Sequence, residues 1–326
     1  MRRRVLWSVA AGVALCVGGN RSVQAQTVDV KEWPVEWQGR PRDPSVDPQG
    51  RVWFVGQVGN YIGMFDPKSE QFKRFEIEAG THPHSLIVAP DGSVWYAGNG
   101  NARIGRLDPK SGAAKIYPMP DPAAGDPHTL IFDGRGNIWF TVQQGGFIGR
   151  LNMESGKIDL LKAGEGRTNP YGIAIDSKGQ AWVNLFATNR IAVIDPATFT
   201  KREIIVPRET ARTRRMAITS DDAAWYVDYS GGMLGRIDPR TQAIEEWPVP
   251  GGENARPYAL VVDDRDRLWF AETGGTARLV GFDSKTKKFF AQAPVSAGIR
   301  HMEYHGPTRA LWFGTDANNI GRAILP

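Results

Sequence analysis

The sequence predicts an all-β fold, a seven-bladed β-propeller with four antiparallel strands in each blade. Two observations carry this. Seven tryptophans, Trp53, Trp95, Trp139, Trp182, Trp225, Trp269 and Trp312, follow one another at 42, 44, 43, 43, 44 and 43 residues. Around each, the same order of short apolar runs and turn residues returns, as in Pro83–Gly105, where an alternating run, an Asp-Gly turn and a Trp-led run precede a glycine-rich loop and a third run. Repeats of this length, each too thin to bury both of its own faces, must close into a ring.

Composition fits that reading. The 37 glycines and 22 prolines fall at turns, as an all-β chain needs. The formal charge of +5 is misleading, because residues 1–25 hold four arginines and no acid, which leaves the remainder near +1. Whole-chain charge therefore gives no support to a nucleic-acid partner. Met1-Arg2-Arg3-Arg4, an apolar stretch from Val5 to Val17 and Val23-Gln24-Ala25 read as a secretory signal peptide over 1–25, cleaved after Ala25. Its apolar part is too short to span a membrane. The expected mature chain is one domain, 26–326, without its only cysteine, Cys16, and with no stable membrane insertion. A periplasmic or secreted monomer is the expected product.

Taken in order, residues 27–35 form a strand without a blade of its own and match the ends of other repeats, Lys115–Met119 and Glu245–Val249. The last repeat stops one strand short, at Asn319–Pro326. Strand 27–35 should therefore complete blade seven and leave no open edge. In each blade the innermost strand begins eleven residues before the Trp, and the second strand begins at the Trp. The third carries Ile62, Ile104, Ile148, Ile191, Leu234, Leu279 or Ile320, mostly in an Ile-Gly-Arg setting, and a turn such as Asp66-Pro or Asp108-Pro leads outward. The tryptophans are expected to pack between blades, where a large rigid ring buries most area.

Strand direction brings two sets of residues to one mouth of the central channel. Those eleven before each Trp are Arg42, His84, His128, Tyr171, Arg214, Tyr258 and His301, all able to hydrogen-bond. Those three after it include Asp228, Glu272 and Thr315, with Asp316 next in line. A histidine beside carboxylates that can hold a hard divalent cation suits proton abstraction next to a carbonyl. The other reading of these carboxylates is loop capping or pairing with arginine. Arginines are frequent in the loops entering the mouth: Arg40, Arg167, Arg208, Arg212, Arg215, Arg256 and Arg300 join Arg42 and Arg214. A cationic rim focuses anions, so the expected ligand is a negatively charged small molecule. Glycine pairs such as Gly145-Gly146 lie between strands and are turns, not phosphate loops.

The recurring Pro-His/Tyr, Asp-Gly, Trp-Phe-Thr and Asn-x-Ile-Gly-Arg elements resemble the streptogramin B lyase (virginiamycin B lyase) family, from about Asp29 onward. The resemblance implies a carbon–oxygen lyase with a general-base histidine at the start of the last repeat, matched by His301, and a magnesium-holding carboxylate after that repeat's Trp, matched by Asp316. Glu272 is the second expected metal ligand, and Arg42, His84, His128, Tyr171, Arg214, Asp228 and Tyr258 are the expected substrate contacts. Two further functional positions depart from the pattern: Tyr258 stands for a histidine and Ile299 for a glutamate. The expected activity is thus a related opening of an ester or lactone rather than streptogramin cleavage. The alternative is an exported, non-catalytic binding propeller that uses the same mouth.

Overall fold

In the computed structural model residues 26–326 are described, and the expected signal segment lies outside them. Twenty-eight strands form seven four-stranded antiparallel sheets. Six blades are each one continuous stretch. Blade one, for instance, runs Pro41–Val46, Val52–Gly56, Tyr61–Asp66 and Gln71–Glu76. The seventh joins Ile299–His305, Ala310–Thr315 and Asn319–Ile324 to the N-terminal strand Asp29–Pro34. The closing pair runs antiparallel from Asp29 opposite Ile324 to Pro34 opposite Asn319, as the repeat arithmetic requires. Trp33 fills the seam, stacked on Trp312 with ring centroids 5.9 Å apart. Among the described residues no helix is long and apolar enough to cross a membrane.

The core lies between blades. Trp53, Val55 and Ile62 of blade one, for example, pack on Leu86, Val94 and Tyr96 of blade two. Glycine in the third strand is a matter of space. A Cβ on Gly63, Gly105, Gly149, Gly235 or Gly321 would stand 2.0–2.2 Å from the ring of Phe54, Tyr96, Phe140, Tyr226 or Phe313, the residue that follows the marker Trp. Blade four makes the exchange in reverse: Val183 replaces the ring and Ala192 the glycine, and the two are register partners.

Four of the marker tryptophans also have a carboxylate anchor. The indole N–H of Trp53, Trp139, Trp182 and Trp269 donates to Asp47, Asp133, Asp176 and Asp263, six residues earlier, at 2.9, 3.2, 3.0 and 3.0 Å. The same carboxylates accept turn N–H groups, so each fixes the first hairpin and the inter-blade ring together. In blade two Ala89 stands at this position, and the buried Trp95 N–H finds no acceptor. The Ala89 turn has the same backbone bonds as the Asp47 turn. Ala89→Asp should therefore raise stability by about 1 kcal/mol, one net hydrogen bond. A thermal melt checks it, and an unchanged or lower midpoint would show that the carboxylate cannot reach the indole.

Candidate functional site at the channel mouth

Each innermost strand begins with a bulge, where register shifts by one residue. Two successive residues per blade are thereby offered to the crowded axis and build two layers; in five blades both are polar, while Gly172 and Ala259 follow Tyr171 and Tyr258 in blades four and six. In blades one to six the residue paired with the marker Trp is eight positions earlier: Ser45, Ile87, Ile131, Ala174, Ala217 and Val261. In blade seven Glu303 is nine positions before Trp312, because the hairpin contains the extra turn Gly306–Thr308. Arg300, not His301, is therefore the register equivalent of Tyr258. Counting back from the Trp misses this inserted residue, and His301 belongs one layer deeper.

The outer layer is Arg42, His84, His128, Tyr171, Arg214, Tyr258 and Arg300. The His84 and His128 rings lie 3.4 Å apart, and His128 lies 4.3 Å from the Tyr171 ring. Tyr171 and Tyr258 share a short hydroxyl–hydroxyl hydrogen bond across the axis. Arg214 sits among four rings, 4.1 Å from Tyr258, 4.2 Å from Phe186, 4.4 Å from Tyr229 and 4.8 Å from Tyr171. Such cation–π stacking holds a guanidinium without neutralising it. Among the described residues Arg214 makes no ion pair. Arg300 lies 5.7 Å from the Tyr258 ring.

The deeper layer is an ion cluster. Asp43, fully buried, takes Arg215 at 3.1 Å and Arg42 at 3.2 Å. Arg215 also donates to Thr129 at 3.1 Å and to the Arg300 carbonyl at 3.3 Å. His301 stands beside this cluster, half-buried.

These surroundings set the protonation states. Burial, then the charge of Arg215, lowers His301 to about 4. Burial and the neighbouring guanidiniums also hold His84 and His128 well below the usual histidine range. Burial works to raise the Tyr258 hydroxyl, but the charges of Arg214, Arg42 and Arg215 overcome it and leave Tyr258 below an ordinary phenol. Burial and the Tyr258 charge push its partner Tyr171 up to about 12. The guanidinium charges around Tyr258 thus favour its ionised form.

The expected metal ligands are otherwise engaged. Asp316 receives both prongs of Arg300, at 2.8 and 3.0 Å. Buried Glu272 accepts Arg278 at 2.6 Å and the Gly251 N–H at 2.9 Å. Asp228 pairs with Arg208 at 2.7 Å and accepts the N–H groups of Arg212 and Ser230, which makes it a loop cap. No hydrogen bond or ion pair joins His301 to Glu272 or Asp316. Among the described residues no three His, Cys, Asp or Glu side chains are grouped to hold a metal ion. This donor set does not fit the divalent cation that the resemblance implies: the two carboxylates are spent on guanidiniums, and the register pair Ile299–Thr315 adds no carboxylate.

Asp43 was not singled out by the sequence, and Arg215 only as one of the arginines at the mouth. Their signal was there, as residues one step along from the ring positions, where the bulge turns a second polar side chain inward.

The sequence model of the Virginiamycin B lyase family matches residues 28–323. Virginiamycin B lyase from Staphylococcus aureus has a structure similar to this one, with a TM-score of 0.83 at 24% identity over 92% of this chain and 100% of that one. A streptogramin B lyase structure gives 0.81 at 27% identity, covering 92% and 98%. A catalytically inactive histidine-to-alanine variant of the S. aureus enzyme, solved with quinupristin, gives 0.83 at 26%, covering 92% and 100%. No curated protein matches the sequence. With the family pattern spanning all seven blades, the chain belongs to the virginiamycin B lyase family.

Proposed function

We propose that the channel mouth binds a small anionic molecule and opens a carbon–oxygen bond in it, as an exported lyase acting on a carboxylate-bearing ester or lactone. The observation that carries this reading is Arg214, a guanidinium held by four aromatic rings and by no carboxylate, directly beside the Tyr171–Tyr258 pair. The resemblance expects a base at the start of the last blade, where register here puts Arg300. Tyr258, one blade earlier, is a phenol of the ring, and the charges of Arg214, Arg42 and Arg215 lower its proton affinity. In this reading its phenolate takes the proton next to the substrate carbonyl. The freed electron pair forms the carbon–carbon double bond, and the carbon–oxygen bond breaks to release the leaving group as a carboxylate. Arg214 and Arg300 stabilise the negative charge that develops on the carbonyl oxygen.

The test is a screen of acidic against neutral lactones and esters at low and high salt. Acidic ligands should bind preferentially and weaken with salt. Arg214→Ala should weaken them at least about tenfold, as expected for one charge-assisted contact. Tyr258→Phe should abolish turnover while leaving that binding in place. Preference for neutral ligands, or affinity indifferent to Arg214→Ala, would sink the anion site. Turnover that survives Tyr258→Phe and disappears in His301→Ala would return the base to His301. The arginine-paired state of Glu272 and Asp316 favours a second reading, a binding propeller without catalysis. Salt-sensitive binding of every acidic ligand with no product from any would select it.

A further inference from the structure

Below the ion cluster the channel changes character. A cavity of about 340 Å³ is walled by the inner strands of blades three to seven, with Ile131, Ile175, Ile218, Leu260 and Val262 among its lining. Glu303 and His301 also line it, and no arginine or lysine does. Glu303 is out of keeping with its neighbours. Its position, opposite the marker Trp, holds Ser45, Ile87, Ile131, Ala174, Ala217 and Val261 in the other blades.

The carboxyl is held by polar groups that cannot neutralise it. It accepts the Val46 N–H at 3.0 Å, and among the described residues it forms no ion pair. His301, the nearest cation by sequence, is kept neutral at pH 7 by burial and Arg215. His305, at the end of the same strand, is likewise lowered by burial. On the facing strand the neighbours of Val46 are Ser45 and Asp47, and Asp47 is already paired with Arg51. Burial pushes Glu303 up to about 7, the behaviour of an acid that lacks a counter-charge. A lone carboxylate in an apolar wall is costly unless something pairs with it. No part of the mouth chemistry uses it.

We propose that this lower half of the channel is a second binding site, for a small hydrophobic amine whose ammonium group pairs with Glu303 while its hydrocarbon lies against the isoleucine, leucine and valine walls. Charge complementarity selects the cation, because the one ionised group of the cavity is an acid. The size suits a single-ring or short-chain ligand, at the lower end of the roughly 300–1,000 Å³ of small-molecule pockets. The cationic mouth repels the same ligand, so the two sites stay chemically separate.

The experiment is calorimetric titration of the full described chain at pH 8 with benzylammonium chloride and, separately, with benzyl alcohol, which has the same shape without the charge. The wild type should bind benzylammonium at least tenfold more tightly than the alcohol. Glu303→Gln, which can still accept the Val46 N–H, should lose at least tenfold for the amine and keep its affinity for the alcohol. Equal binding of the two probes by the wild type, absence of amine binding up to millimolar concentration, or unchanged amine binding in Glu303→Gln would each overturn the proposal. The comparison of the two probes on the wild type decides the matter even if the variant fails to fold.

Discussion

A chain that starts at Gln38 should fail to close its ring. Residues Asp29–Pro34 supply the outer strand of blade seven through six register pairs. Without them the strand Asn319–Ile324 becomes an open edge, a template for pairing with other chains. The Trp33 and Val35 side chains, both buried, leave a cluster that also holds Phe65, Trp312 and Ile320. Loss of a buried Trp alone typically costs ~3–5 kcal/mol. The whole strand should therefore cost at least about 5 kcal/mol, or roughly 10 °C in melting temperature. The truncated protein should aggregate on heating, and Trp33→Ala should fall between it and the intact chain. A thermal melt of the three proteins checks this, and coincident midpoints would mean that the ring does not depend on its closing strand.

Asp43→Ala should be the most damaging single substitution in the channel, at ~3–5 kcal/mol, because it leaves the buried Arg215 and Arg42 guanidiniums without their carboxylate. Asp43→Ala combined with Arg215→Met should recover part of that loss, since an apolar pair removes the unpaired charge as well. Chemical denaturation of the two variants is the measurement; a single variant within 1 kcal/mol of wild type would show the cluster to be solvated.

The same cluster fixes the acid limb of stability. Burial works to raise Asp43, but Arg215 and Arg42 overcome it and keep the carboxyl below the usual range. Its contribution is thus present above the unfolded carboxyl value and is lost only as pH falls through the lowered one. His301 is held neutral down to about 4, against 6.5 when unfolded, so between those values the unfolded chain binds the extra proton. Stability must fall as pH drops through that window, by about 3 kcal/mol for a shift of this size. His84 and His128 act in the same direction.

The architecture is legible in the residue pattern alone. The Trp period, the Asp-Gly and Asp-Pro turns and the orphan strand at 27–35 specify seven blades and how they close, because each is a local pattern with a fixed geometric meaning. The same patterns place Arg42, His84, His128, Tyr171, Arg214 and Tyr258 on one ring, since strand direction follows from turn count. Register and side-chain pairing, by contrast, come from the folded ring. The inserted turn at Gly306–Thr308 shifts blade seven by one residue, which puts Arg300 into the ring and His301 below it. A count from the Trp cannot see on which side of the hairpin the extra residue lies. Nor could the sequence assign Arg300 to Asp316, Arg278 to Glu272 or Arg208 to Asp228, because those partners reach one another only through loop conformation. A carboxylate reads the same in a sequence whether it waits for a metal ion or is already bound by a guanidinium. Its function is settled by which neighbour arrives, and that is a property of the folded ring.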